Sequence, residues 1–226
     1  MSEPLIMKKQ WSLALRINHW TMAASIVILV ISGLYIARPL TILGAGETWQ
    51  KFSIAKVRFI HLLFGFILTS LLAWRAYLAF FSRSSADWKD FFAWLDFKSL
   101  VKQVKFYMLL SDEPPPEHSG LYGTVQSGAY GVLLIMTFLV VITGLILYGA
   151  LHQAGLGSVI SATLYPLEGT MSGLAGVRFI HHVLTWVFVL FMCIHVYMAL
   201  WTDVVLKKSI ISSIIHGRML KRSGEH

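Results

Sequence analysis

Four stretches of this chain carry no Asp, Glu, Lys or Arg: between Arg16 and Arg38, between Arg58 and Arg75, between Glu117 and Glu168, and between Arg178 and Asp203. A helix rises about 1.5 Å per residue, so about 20 apolar residues cross the hydrocarbon core of a bilayer. Each gap is long enough for one crossing. Only 13% of the residues are charged, against about 25% in an ordinary soluble domain, and the mean hydropathy is +0.67. The expected fold is all-α: an integral membrane four-helix bundle, one domain over residues 1–226, with spans at about 17–37, 57–81, 123–150 and 177–204.

The segment between the second and third spans mixes Phe, Trp and Leu with Lys and Asp. It reads as one or two amphipathic helices on the membrane surface, ended by Pro114 to Pro116. The Gly-, Ser- and Ala-rich stretch 151–176 reads as a loop. The first apolar run is too long for a signal peptide and has no small-residue cleavage site, so it reads as a retained helix. The one cysteine, Cys193, excludes a disulfide framework, a C-x-x-C-H haem attachment and a thiolate cluster.

With four spans, the termini and the middle loop share a side. That side holds 14 of the 19 Lys and Arg, so the positive-inside rule puts both termini in the cytoplasm of a bacterial inner membrane. The net charge of +8 is accounted for by anionic headgroups and requires no nucleic acid.

Ionisable groups at membrane depth point to function. Five histidines lie within the spans: His19, His61, His181, His182 and His195. Alternating helix direction puts His61 and His181 near the outer surface and His19 and His195 near the inner one. His195 follows His181 by 14 residues, which returns it to the same helix face within about 40°, whereas His182 would be turned away by about 140°. Facing imidazole pairs at two depths suit axial ligation of two b-type haems, His61 with His181 and His19 with His195.

The 14-residue interval recurs. Gly33 follows His19 by it and Arg75 follows His61 by it, while Gly131 and Gly144 are 13 apart. These glycines offer bare backbone to a flat macrocycle. The pentapeptide VRFIH occurs at Val57 to His61 and again at Val177 to His181. It sets Arg58 and Arg178 one turn before their histidines, where they can pair with propionates of the outer haem. Arg16 or Arg75 would serve the inner haem.

The stretches RINHW, SGLYI, VRFIHLLFGF, LAWRAYLAF, TGLILYG and RFIHHVLTWVFVLFMCIHVYMAL resemble the b-type cytochrome subunit of membrane-bound nickel–iron hydrogenases. The most specific part is H-H-V-x-x-W-x-F-x-x-F-x-x-x-H, from His181 to His195. The resemblance covers nearly the whole chain. It implies a subunit that anchors a periplasmic hydrogenase, of iron–sulfur small subunit and large subunit, and passes electrons through two haems b to quinone. It implies no catalysis by the chain alone. The family's axial ligands fall on His19, His61, His181 and His195.

Relatives often carry Asn-Pro ahead of the third helix, where this chain has Gly123 and Thr124. Quinone-binding candidates are Gln126, Tyr107, Tyr122, Asn18 and Arg75. Cytochrome subunits of formate dehydrogenase and thiosulfate reductase share a similar plan, so those complexes and a stand-alone di-haem quinone oxidoreductase are the alternatives.

Overall fold

The structure is a computed structural model that describes residues 5–39, 52–82, 87–108, 110–111, 123–205 and 209–222. It is all-α in class. A short strand β1 (Leu5–Lys9) leads into α1 (Leu13–Ala37) and α2 (Phe52–Phe81). A 3₁₀ turn (Asp90–Leu95) and α3 (Phe97–Tyr107) precede α4 (Thr124–Leu151), α5 (Leu156–Thr170) and α6 (Gly173–Val205). The chain ends in α7 (Ile210–His216) and β2 (Arg218–Arg222). The four helices long and apolar enough to cross a membrane are α1, α2, α4 and α6.

Local chemistry explains the helix ends. The Ser12 hydroxyl accepts from the Leu15 backbone N–H at 3.2 Å, so α1 starts four residues before its expected boundary, capped as serines cap helices. Asp96 caps α3 by accepting from Ser99. The carboxylate of Asp203 accepts from the backbone N–H groups of Ile210 and Ile211, which holds the start of α7. That helix closes on Gly217, whose φ of 80° is open to glycine.

One expectation needs correcting. Residues 151–176 contain the 15-residue helix α5 rather than only a loop. Their small residues serve backbone contact. A Cβ on Gly149 would lie 2.9 Å from the Ser161 nitrogen and 3.2 Å from the Gly157 carbonyl oxygen. Here α4 and α5 meet with no side chain between them, as small residues allow in membrane proteins.

Packing divides the chain into two compact units. One comprises residues 18–73 and 137–196. Its inward positions are markedly polar: Asn18, Ser25, Ser32 and Thr143 are buried, while Ile31, Phe59 and Leu190 are at least 60% exposed. That inversion suits a lipid surrounding, in which apolar side chains face outward and hydroxyls and amides sit between helices.

The other unit comprises residues 1–17, 74–136 and 197–226. In it β1 and β2 pair antiparallel, with Leu5 opposite Arg222 and Lys9 opposite Arg218. The Trp11 indole donates to the Ser213 hydroxyl at 3.1 Å. Both Gln10 and Trp11 donate backbone N–H groups to the Gly217 carbonyl. Phe106 and Tyr107, at the end of α3, pack their rings on Trp201 of α6 at 6.1 and 5.6 Å.

Candidate functional site

In the unit of residues 18–73 and 137–196, α2 brings His61 and α6 brings His181 together edge-on. Their ring centres are 6.4 Å apart, with planes at 72°. His19 of α1 and His195 of α6 form a second pair, with centres 6.2 Å apart and planes at 54°. These are the pairings expected from helix direction and period.

The separations test what could lie between the rings. A transition metal bonds an imidazole nitrogen at about 2 Å, and that nitrogen is about 1.1 Å from its ring centre, so one metal gripped from both sides sets the centres about 6.2 Å apart. Both pairs match. Among the described residues no three His, Cys, Asp or Glu side chains converge on a metal position. Two protein ligands per site fit a metal whose remaining positions are filled by a macrocycle.

The histidines of the first pair are fixed by hydroxyls that sequence reasoning passed over. The Nδ1 of His61 lies 2.8 Å from the Ser32 hydroxyl oxygen, and the Nδ1 of His181 lies 2.8 Å from that of Thr143. Each hydroxyl donates its own proton back along its helix, Ser32 to Ile28 at 2.6 Å and Thr143 to Leu139 at 2.8 Å. What each oxygen has left is a lone pair, so it accepts from Nδ1–H. The proton is thereby held on Nδ1, and Nε2 keeps its lone pair for a metal.

Glycine makes this approach possible. A Cβ on Gly33 would lie 3.1 Å from the Cε1 of His61, and one on Gly144 would lie 3.4 Å from the Cε1 of His181. Each glycine directly follows the hydroxyl residue. The arrangement repeats in sequence: Ile31-Ser32-Gly33-Leu34 with Val57 to His61, and Ile142-Thr143-Gly144-Leu145 with Val177 to His181. A short hydroxyl residue before glycine in mid-span was the available signal. So VRFIH is half of a longer duplicated unit, a helix bearing hydroxyl and glycine and a returning helix bearing Arg and His.

A cavity of about 760 Å³ adjoins the first pair. His61, His181, Gly33, Gly144, Arg58 and Arg178 all line it, so the structure gathers six sequence-selected residues. Gly65, one turn after His61, also lines it, and a Cβ there would meet nothing within 4 Å. Arg58 and Arg178 are exposed and have no carboxylate partner among the described residues.

The remaining candidates fall elsewhere. Asn18 is 2% exposed, and its amide donates to the Leu71 backbone carbonyl at 3.0 Å, clasping α1 to α2. In the other unit, Arg75 makes two hydrogen bonds to Asp87, at 3.2 and 2.6 Å. Asp87 carries no sequence signal that marks it as a partner. Gln126 donates to the Tyr130 hydroxyl at 2.8 Å. Tyr107 stacks edge-on against Trp201, and burial pushes its phenol pKa up. The Nε of Arg16 is buried without a hydrogen-bond partner, and its guanidinium lies where a side chain on Gly217 would fall. A Cβ on Gly131 would meet nothing within 4 Å. Tyr122 lies outside the described residues.

The sequence profile of the prokaryotic cytochrome b561 family matches residues 10–217. Among similar proteins, the probable Ni/Fe-hydrogenase B-type cytochrome subunit of Rhodobacter capsulatus is 30% identical over 213 residues, covering 89% of this chain and 77% of that protein. The protein of the same description from Azotobacter chroococcum mcd 1 is 31% identical, covering 92% and 86%. The probable Ni/Fe-hydrogenase 1 B-type cytochrome subunit of Escherichia coli (strain K12) is 25% identical, covering 93% and 89%.

Proposed function

This chain belongs to the prokaryotic cytochrome b561 family, and we propose that it is the membrane-embedded B-type cytochrome subunit of a nickel–iron hydrogenase, carrying electrons from an iron–sulfur partner to quinone. The observation that carries the reading is the pair of imidazole separations, 6.4 and 6.2 Å, each matching a single metal held between two rings. The names of the relatives support the choice of partner.

These histidines would hold haem b, which would supply reversible one-electron exchange. The chain's own residues prepare two positions for it. His61 and His181 present Nε2, with Nδ1–H fixed by Ser32 and Thr143. Gly65 leaves backbone bare for a flat ring to approach, while Gly33 and Gly144 make room for the rings of His61 and His181. Arg58 and Arg178 stand at the cavity ready to pair with propionates. His19 and His195 hold the second position.

For quinone, the chain offers hydrogen-bond donors. Tyr107 carries a protonated phenol hydroxyl, able to donate to a quinone carbonyl. Gln126 and Arg75, in the same unit, are further donors; Asn18 and Tyr122 are candidates by sequence position alone. The bias of Lys and Arg supports cytoplasmic termini in a bacterial inner membrane, with the His61–His181 pair toward the periplasmic hydrogenase.

A pyridine haemochrome assay on the purified complex tests the cofactor reading. Two haems b per chain are expected, falling to one in His61→Ala or in His195→Ala. A haem content of zero, or one untouched by these substitutions, would overturn it. Copurifying nickel is expected; molybdenum or tungsten instead would assign the chain to a different complex.

A further inference from the structure

The two histidine pairs differ in what stands behind their rings. Each ring of the first pair donates Nδ1–H to a side-chain hydroxyl at 2.8 Å. Among the described residues, no hydrogen bond reaches the ring of His19 or His195; their neighbours are aromatic faces and edges, Phe191 stacked on His195 at 5.7 Å and Trp20 edge-on to His19 at 5.3 Å.

We propose that Ser32 and Thr143 are positioning residues that set the order of the two redox centres, holding the haem of His61 and His181 at a lower potential than that of His19 and His195. The inference rests on the haem ligation proposed above. An imidazole that donates Nδ1–H to an acceptor gains electron density on its ring, becomes the stronger donor at Nε2, and favours the more highly charged state of the metal. The acceptors here are good ones, because each hydroxyl already donates to a helix carbonyl, and chained hydrogen bonds polarise one another. The gain operates twice in one pair and in neither ring of the other.

The direction of the difference matters for the proposed function. A reductant entering beside His61 and His181 meets the centre that gives up its electron more readily, so transfer toward His19 and His195 runs downhill. The same hydroxyls fix ring orientation. Free rotation about the Cβ–Cγ bond would otherwise let each imidazole turn away from the metal, so the duplicated unit of hydroxyl, glycine and histidine sets both aim and potential.

The test is an optical redox titration of the intact complex carrying Ser32→Ala, Thr143→Val or both, beside the conservative Ser32→Thr and Thr143→Ser. Two components are expected in the parent. In Ser32→Ala and in Thr143→Val the lower one should rise, the reduced-to-oxidised ratio at fixed poise changing roughly tenfold, or about 59 mV for a one-electron couple. The upper component should stay in place, the double variant should shift further, and the conservative variants should retain the parent value. A lower component that does not move, or an upper component that moves instead, would overturn the proposal while leaving two-haem ligation intact. A parent complex without two haems would remove the ligation reading and this inference together. Haem content measured on the same samples separates a shifted potential from a lost cofactor.

Discussion

Gly33 stands so close to His61 that a Cβ built on it would lie 3.1 Å from the imidazole Cε1. Real Cβ contacts are seldom this tight, and the neighbour is a ring already tied to Ser32, so it has little freedom to give. Gly33→Ala should therefore displace His61 and speed haem loss about tenfold, the scale on which disturbed ligand support acts. Gly144→Ala should do less, because the corresponding distance is 3.4 Å. The haem-to-protein ratio after extended dialysis against apomyoglobin measures both.

The ring planes differ as well, 72° between His61 and His181 and 54° between His19 and His195. As axial imidazole planes approach perpendicular, the in-plane splitting of low-spin ferric iron falls and its g anisotropy grows. The oxidised complex should show two low-spin signals, the more anisotropic one belonging to the His61–His181 site. Electron paramagnetic resonance of the His61→Ala variant assigns them: the more anisotropic signal should vanish, and its survival would reverse the assignment.

Asn18 donates from a buried amide to the Leu71 carbonyl. In Asn18→Ala the clasp between α1 and α2 is lost, at a cost of about 1 kcal/mol. That corresponds to a fall of about 2–4 °C in the thermal midpoint for a chain of this size. Differential scanning fluorimetry in detergent reads it, and an unchanged midpoint would show that the bond contributes nothing net.

The Arg75–Asp87 pair offers a sharper contrast. The Asp87 side chain is fully buried and that of Arg75 is 16% exposed. Removing the carboxylate in Asp87→Ala takes away the acceptor of two guanidinium hydrogen bonds, costing about 3–5 kcal/mol, whereas replacing both partners with apolar residues costs far less. A double-mutant cycle of Arg75→Met and Asp87→Leu, followed by thermal unfolding, should show strong non-additivity. Additive effects would mean that the two groups act independently.

Much of this site was legible in sequence because the membrane forces a coarse code. Charge gaps mark the spans, and two side chains that share one helix face must obey the 3.6-residue period, which separates His181 from His182 before any fold is known. What period cannot give is register between helices. Ser32 and Thr143 look like any hydroxyl in an apolar helix, bonding back to its own carbonyls, and they do bond back. Only the depth of α2 against α1 and of α6 against α4 turns their second lone pair to a histidine. Asp87 was illegible for a related reason: its partnership with Arg75 depends on how the chain folds back after α2. The helix α5 was missed because glycine and serine mean turns in water but close helix contact between apolar segments.

The pairing of β1 with β2 joins segments that are far apart in order of synthesis. Residues 5–11 meet their partners, Ser213 to Arg222, only after all four long apolar helices have been made. The strand pair therefore closes late, and it ties the stretch that leads into α1 to the stretch that follows α6.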